Sequence, residues 1–460
     1  MRRLLVLNVV GLTPDLLTHT PRLAAVGRDG FVAPMTPVLP AVTCTAQATM
    51  LTGAAPRDHG IVGNGWYFRD LSEVWLWRQS NRLVKGEKLW DVARRELGAD
   101  FTVAKMFWWY NMYADVEWSA TPRPVYPSDG RKLPSIYTDP PELKTSLQAR
   151  LGTFPLFNFW GPTADIKSSA WIARATQQVI DEKAPSLALC YLPHLDYDLQ
   201  RCGPNGPEAI AAAKEIDVVA GDLVDHARGK GYEVVVVSEY GIEPVTDGVH
   251  INRALREAGL LRAQLVDTGW ELLDAGASDA FAVSDHQVAH VYVKDPARLA
   301  EMKALVEKLD GVDRVLDADG KAAAGLDHAR SGDLVAISEP DRWFTYYYWL
   351  DDAVMPDFAR TVDIHRKPGY DPVELFVDPQ IAALKLKIGW TLLKKKLGMR
   401  YYMDVIPLDA SLVKGSHGRL PPSPERGPVF ISSSKTGARD AMQMTDVRDV
   451  LLATMSHSSS

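Results

Sequence analysis

The chain contains several short apolar runs that are rich in valine and leucine and do not alternate with polar residues. Five of these runs are residues 4–10, 101–107, 186–192, 232–238 and 289–293. Such runs are typical of β-strands that are buried on both faces. Helical patterns lie between them, at residues 86–97, 168–182, 207–228 and 250–258. The alternation predicts an α/β fold with a mainly parallel central sheet and helices on both faces.

Two regions interrupt this alternation. Residues 65–162 are rich in aromatic residues and proline, whereas residues 262–400 alternate strand and helix signals with long polar turns. We interpret both as insertions that cover one edge of the sheet. The predicted organisation is therefore a core of residues 1–261 and 401–460, carrying the aromatic insertion at about 65–162, and a cap of residues 262–400.

The segment 381–400 predicts an amphipathic helix. Leu386, Trp390, Leu393 and Leu397 recur at helical spacing and form one apolar stripe, and the segment has six basic residues and no acidic residue. Such a helix either docks on a membrane surface or packs its apolar stripe on the protein core with its basic face in solvent. We favour the packed helix.

Composition narrows the class of protein. The chain has 460 residues and a formal net charge of −7, which disfavours a binding protein for nucleic-acid polymers. The three cysteines have no metal-knuckle spacing, and no apolar stretch reaches the roughly 20 residues of a membrane span.

The N-terminal apolar run is short and lacks a small-residue cleavage site, so we read it as a strand and expect a cytoplasmic protein. The sequence does not determine whether the protein forms a homo-oligomer.

Polar side chains collect where the predicted strands end, which is where parallel sheets carry their reactive groups. Thr43 follows a proline-bounded turn at a predicted helix N-terminus, where free N–H groups bind anions, although an ordinary N-cap threonine looks the same. Asp196 lies in a predicted turn-rich loop, Glu239 and Tyr240 follow the next strand, and His417 lies between glycines. Carboxylates and an imidazole that converge in this way suit a divalent metal ion.

The segment PVLPAVTCTAQATMLTGAAPRDHGIVGN (37–64) resembles the nucleophile segment of the alkaline phosphatase superfamily, and within it the nucleotide pyrophosphatase/phosphodiesterase type. The resemblance implies that Thr43 is the nucleophile, that Asn64 and the N–H group after Thr43 hold phosphoryl oxygens, and that a phosphothreonine intermediate forms. It also implies two divalent metal ions, held in part by Asp196, Glu239 and His417. Zinc is the expected metal, with manganese or magnesium as alternatives because oxygen donors outnumber imidazoles.

Several positions depart from the pattern of that family. Val10 stands where the family has an aspartate, and Gln200 and Tyr240 stand where it has histidines. Glu239 is a conservative replacement of an aspartate. Asn8 shares a strand face with Val10 and offers an oxygen in its place. The family's two-metal set therefore cannot be transferred intact.

Other residues are candidates to complete the site. Asp363 and His365 are two residues apart, so on a strand they would share a face and could chelate a metal, although a surface turn is the alternative. We expect them to join the metal ligands. His286 and Arg330 are predicted to bind the substrate.

Three functions follow from these observations. We favour a metal-dependent hydrolase of a small phosphodiester or pyrophosphate, with a threonine nucleophile. The departures also fit a degenerate binding or scaffold protein that has lost the two-metal site. A third alternative is different chemistry on the same fold, such as cleavage of a carbon–phosphorus bond or a phosphoryl-transferring mutase.

Overall fold

Nine strands form the central sheet of the computed structural model, which describes residues 1–129 and 131–456. In spatial order the strands are Met442–Gln443, Phe31–Thr36, Val429–Ser432, Tyr232–Val237, Arg3–Val9, Leu187–Leu192, Val103–Met106, Trp118–Pro122 and Ile136–Asp139. The five from Tyr232–Val237 to Trp118–Pro122 run parallel, and antiparallel pairings flank them on both sides. The predicted mainly parallel α/β sheet is confirmed.

The central strand Arg3–Val9 shows why helices cover both faces of the sheet. Leu5 and Leu7 enter one core cluster, and Leu4 and Val6 enter another, because successive side chains of a strand point to opposite faces. The first cluster includes apolar residues of the helices Ile166–Lys183 and Pro207–Gly229, and the second includes those of Leu89–Leu97 and Val447–Ser456.

The helices largely follow the predicted positions. The described α-helices are Pro21–Ala24, Thr43–Thr52, Pro56–His59, Leu89–Leu97, Glu142–Leu151, Ile166–Lys183, His194–Cys202, Pro207–Gly229, Ile251–Glu257, Leu299–Glu307, Ala318–Ala323, Leu384–Lys396 and Val447–Ser456. The helix His194–Cys202 corrects the prediction of a turn-rich loop around Asp196. Within the described residues, no helix combines the length and the apolar character needed to cross a membrane.

A second sheet of four antiparallel strands lies within residues 262–400. Its strands, in spatial order, are Ala280–Asp285, Val288–Val293, Leu334–Ser338 and Val312–Leu316. The predicted strand at 289–293 therefore belongs to this sheet and not to the central one. Two-stranded pairs complete the structure, namely Gly65–Phe68 with Glu73–Leu76, Ala263–Leu265 with Glu271–Leu273, Glu243–Pro244 with Gly415–Ser416, and Asp247–Val249 with Arg342–Phe344.

The aromatic region 65–162 is more than a cover on the sheet. It supplies the strands Val103–Met106, Trp118–Pro122 and Ile136–Asp139, which extend the central sheet to one edge. Lys105 in the first of these strands is fully buried. The division of the chain into core and cap stays a prediction.

The basic helix Leu384–Lys396 differs from the expectation that its apolar stripe packs on the core. The side chains of Leu386, Trp390, Leu393 and Leu397 are all exposed, and Thr391 is the one residue of this helix that is buried. The prediction of a core-packed stripe is wrong, because a different face of the helix contacts the protein.

Candidate active site

Thr43 is the first residue of the helix Thr43–Thr52, at the edge where the parallel strands end. Val42 before it is extended and gives no side-chain cap to the helix. The first-turn N–H groups of a helix have no partner within it, so this end presents donors and positive partial charge. The Thr43 side chain is buried, and its Oγ1 lies 3.2 Å from the hydroxyl oxygen of Tyr240.

Tyr240 connects Thr43 to Asp196. Its hydroxyl donates to Oδ1 of Asp196 over 3.1 Å, and a phenol has a single proton to donate. The hydrogen bond between Thr43 and Tyr240 is therefore donated by Thr43. The other oxygen of Asp196 accepts from Nε2 of Gln200 at 2.7 Å. Burial raises the pKa of Asp196 to about 7, so the chain of hydrogen bonds ends on a carboxyl group that takes up a proton near neutrality.

Glu239 is a second buried carboxyl group of the site. Its Oε1 accepts from Nδ2 of Asn8 at 2.5 Å and from Nε2 of Gln47 at 2.6 Å. Burial raises the pKa of Glu239 to about 7, against the opposing effect of the hydrogen bonds that Gln47 and Asn8 donate. Two carboxyl groups with raised pKa values thus flank the threonine hydroxyl, an arrangement that is common in catalytic sites.

Asn64 is held by Asp285 of the second sheet. Its backbone N–H donates to Oδ2 of Asp285 over 2.7 Å and its Nδ2 donates to Oδ1 over 2.9 Å. The side-chain oxygen of Asn64 accepts from the backbone N–H of Cys44 at 2.9 Å. The N–H group after Thr43, which the resemblance implied to bind phosphoryl oxygens, therefore has a protein partner in Asn64.

Two neutral imidazoles complete the wall of the site. His417 donates from Nδ1 to the carbonyl of Ala41 at 2.8 Å, which leaves Nε2 as an acceptor 4.0 Å from Oδ1 of Asp196. His286 occupies the turn between two strands with a φ of 61° and contacts Asp285 through Nδ1 at 2.8 Å. The His417 ring stacks on Tyr240 at 3.5 Å and lies 3.7 Å from His286. Burial lowers the pKa of both histidines well below the usual value.

Three of the predicted site residues lie apart from this cluster. Asp363 and His365 lie in a turn and not on a strand, and the backbone N–H of Asp363 donates to Glu374 over 2.8 Å. The guanidinium of Arg330 donates to the carbonyl oxygens of Gly60 and Leu83 at 2.7 and 2.8 Å. The structure brings together Thr43, Asn64, Asp196, Glu239, His286 and His417.

The residues around Thr43 do not fit the two divalent metal ions implied by the resemblance. Throughout residues 1–129 and 131–456, no group of three or more His, Cys, Asp and Glu side chains is arranged to hold a metal ion. Tyr240 and Gln200 donate to Asp196, and Asn8 and Gln47 donate to Glu239, so amide and phenol hydrogens face the carboxylate oxygens. Four buried acceptors here have no hydrogen-bond partner in the described chain, namely Asn8 Oδ1, Glu239 Oε2, His286 Nε2 and His417 Nε2.

The sequence reasoning missed Gln47 and Tyr370 as members of the site. Gln47 lies one helical turn after Thr43, and this i, i+4 spacing was a usable signal. Tyr370 stacks on His286 at 3.6 Å and its hydroxyl donates to Oε1 of Gln200 at 3.0 Å. No local sequence pattern indicates Tyr370, because it reaches the site through tertiary packing.

The type I phosphodiesterase / nucleotide pyrophosphatase family matches residues 4–371 of the chain. The chain belongs to this family. That relationship confirms the predicted kinship with phosphodiester and pyrophosphate hydrolases, a family that is generally dependent on divalent metal ions.

A curated relative of this chain has low sequence identity to it. An uncharacterized pyrophosphatase/phosphodiesterase of Schizosaccharomyces pombe is 24% identical over 258 residues, which are 53% of this chain and 45% of that protein. The chain thus matches about half the length of this curated relative.

Solved structures resemble the whole fold. Phosphonoacetate hydrolase from Sinorhizobium meliloti 1021, in complex with phosphonoformate, superimposes with a TM-score of 0.61 at 17% identity, covering 99% of this chain and 96% of the other. Murine ectonucleotide pyrophosphatase/phosphodiesterase 5, as an inactive threonine-to-alanine variant with AMP, gives 0.59 at 14% identity, covering 100% and 96%. These similarities support the alkaline phosphatase-like fold.

Proposed function

We propose that this family member hydrolyses a small phosphodiester or pyrophosphate with Thr43 as the nucleophile. The observation that carries the proposal is the path of hydrogen bonds from the Thr43 hydroxyl through Tyr240 to Asp196. A weak nucleophile such as a hydroxyl needs a base within reach, and this path supplies one with a pKa of about 7. The inactive threonine variant of the murine neighbour is consistent with a threonine nucleophile on this fold.

The proposed reaction has two steps. Oγ1 of Thr43 forms a bond to phosphorus, the bond from phosphorus to the leaving oxygen breaks, and the Thr43 proton passes through Tyr240 to Asp196. The leaving oxygen takes a proton from the Glu239 carboxyl group. Water then attacks the phosphothreonine and gives a proton to Glu239, the bond from Oγ1 to phosphorus breaks, and Oγ1 of Thr43 regains its proton from Asp196 through Tyr240. The first turn of the helix Thr43–Thr52 offsets charge on the phosphoryl oxygens.

We assign no step to zinc, manganese or magnesium, because the donor groups around Thr43 do not fit two such ions. The proposal accordingly predicts turnover that survives a chelator. The cytoplasmic location, the homo-oligomer and the identity of the phosphodiester stay predictions from the sequence.

The test uses release of nitrophenol from bis-(4-nitrophenyl) phosphate, with and without EDTA. We expect wild-type turnover in both conditions, retention of part of it in Thr43→Ser, and loss in Thr43→Val. Thr45→Val is the matched control, because Thr45 is in the same helix turn and its buried hydroxyl has no partner in the described chain. Equal rates for wild type and Thr43→Val would reject the nucleophile assignment.

A second candidate function is a binding protein for phosphodiesters without turnover. One observation favours it. Tyr240 and Gln200 stand at the two positions where the family has histidine ligands, and each donates a hydrogen bond to the Asp196 carboxylate. In the same assay this candidate predicts no nitrophenol release by wild type, with binding of a phosphodiester measurable by calorimetry and weakened in Thr43→Val.

A further inference from the structure

The helix Leu384–Lys396 has two apolar faces rather than one. Leu384 and Ile388 point to the protein, where they pack against a small core cluster that includes Val405 and Ile406. Thr391 lies on the same side and is buried. This inner face already anchors the helix to the fold, so the outer apolar residues are not needed for packing.

The outer face is an exposed apolar stripe of four large side chains. The exposed fractions are 75% for Leu386, 58% for Trp390, 43% for Leu393 and 64% for Leu397. At about 100° per residue, these four positions fall within a sector of about 60°. A continuous stripe of this kind is uncommon on a protein surface unless something covers it.

Basic side chains border the stripe on both sides. Around the helix, Lys387 and Lys394 lie along one side of it, and Lys385 and Lys396 lie along the other. No acidic residue occurs between Asp378 and Asp404, although the whole chain has a net charge of −7. Positive charge is therefore concentrated at this helix, whereas the rest of the protein carries a net negative charge.

A groove beside the helix adds aromatic side chains to this surface. It has a volume of about 450 Å³, and its lining includes Trp390, Arg400, Tyr401 and Tyr402. The acidic residue of the lining, Asp404, is neutralised by its ion pair with Lys387. The ammonium of Lys394 lies 5.6 Å from the Trp390 ring. Tryptophan and tyrosine prefer the boundary between lipid head groups and acyl chains, and lysine reaches past that boundary to head-group phosphates.

We propose that the segment 384–402 docks the protein on an anionic lipid bilayer. The helix lies parallel to the membrane plane, with Leu386, Trp390, Leu393 and Leu397 at the boundary between head groups and acyl chains. Lys385, Lys394, Lys396 and Arg400 contact lipid phosphates, whereas Lys387 is paired with Asp404 at 2.9 Å. A convex apolar stripe between two rows of cations is typical of such interfacial helices. A second copy of the chain fits less well, because two identical stripes would bring their lysine borders together.

Co-sedimentation with vesicles tests the proposal. We expect the protein to pellet with vesicles of phosphatidylcholine and phosphatidylglycerol but not with phosphatidylcholine alone. Binding should weaken as salt rises from about 0.05 M to about 0.5 M, because screening removes the lysine contribution. Leu386→Ser combined with Leu393→Ser should reduce the affinity by on the order of tenfold or more. Leu265→Ser is the control, since Leu265 is 67% exposed and lies outside the segment.

Two further measurements distinguish the alternatives. Hydrogen exchange of the wild-type protein should slow in the segment 384–402 when anionic vesicles are added, which requires no variant to fold. Light scattering reports whether the stripe joins two copies. The proposal is overturned if anionic vesicles neither pellet the protein nor slow exchange in this segment. It is also overturned if the protein is a dimer that the two serine substitutions convert to a monomer.

Discussion

The hydroxyl oxygen of Thr43 lies 3.2 Å from the hydroxyl oxygen of Tyr240, although 197 positions separate the two residues. Tyr240 therefore occupies the position from which a group could accept the threonine proton. Because the Tyr240 hydroxyl donates a hydrogen bond to Asp196, the three residues act as one unit in the proposed reaction.

Tyr240→Phe should lower turnover of bis-(4-nitrophenyl) phosphate by about 10²-fold to 10⁴-fold, the usual contribution of general base catalysis. The ring and its stacking on His417 are retained, so the loss should appear in kcat rather than in KM. Tyr347→Phe is the control, because the Tyr347 hydroxyl is buried, has no partner in the described chain and lies outside the site. A variant at Tyr240 with wild-type kcat would exclude the proton path.

The stability of the protein should depend on Glu239 between about pH 4.5 and about pH 7. Burial raises the pKa of Glu239 from 4.5 to about 7, so the folded state binds this proton more tightly than the unfolded state across that interval. The free energy of unfolding should therefore fall as pH rises from 4.5 to 7. Urea titrations of Glu239→Gln should show a flatter profile than wild type, whereas Glu208→Gln, at an exposed position, should not. Identical slopes for wild type and Glu239→Gln would contradict the assignment.

Wild-type protein should retain less than one equivalent of zinc, manganese or magnesium after incubation and gel filtration, measured by elemental analysis. Gln200→His combined with Tyr240→His should retain more zinc, because it places two imidazoles beside Asp196 and His417 and removes two hydrogen-bond donors from the carboxylate. Two equivalents in the wild type would restore the metal-dependent interpretation.

Lys367 should be important for stability. Its ammonium lies 2.7 Å from Asp371 and 2.8 Å from Glu374, and all three side chains are almost completely buried. Lys367→Met leaves two buried carboxylates without their cation and should cost about 3–5 kcal/mol of unfolding free energy. Lys303→Met, which removes a partly exposed pair with Asp317, should cost at most about 1 kcal/mol. Similar losses in urea denaturation for the two variants would refute this difference.

The sequence predicts the fold well for strands that are buried on both faces. The strands Arg3–Val9, Leu187–Leu192 and Tyr232–Val237 lie in the centre of the sheet, so their apolar runs are unbroken and easy to recognise. The helix at Thr43 is also predictable, since its start depends on a local turn. These elements place Thr43, Asp196 and Glu239 at one edge of the sheet by topology alone.

Other parts of the site could not be derived from local sequence. His194–Cys202 is a short helix with many polar residues, and its burial comes from neighbouring elements rather than from its own pattern. The stripe at Leu386 and Trp390 has the same spacing whether it faces a core or a membrane, so periodicity alone could not decide its orientation. The prediction that Asp363 and His365 chelate one metal ion assumed that they lie on a strand. Because they do not, their spacing of two residues no longer places them on one face.

The hydrogen bonds between Asn64 and Asp285 join the two sheets of the molecule at the site. Asp285 and His286 belong to the hairpin of the second sheet, whereas Thr43 and Tyr240 follow elements of the central one. Contacts over such sequence separations form late, because closing a long loop costs entropy before any contact compensates it. A nascent chain that ends before residue 285 therefore cannot assemble this site, however well its central sheet has begun to form. In the order of synthesis, Asn64 can therefore be held in place only after the hairpin that carries Asp285 has been made.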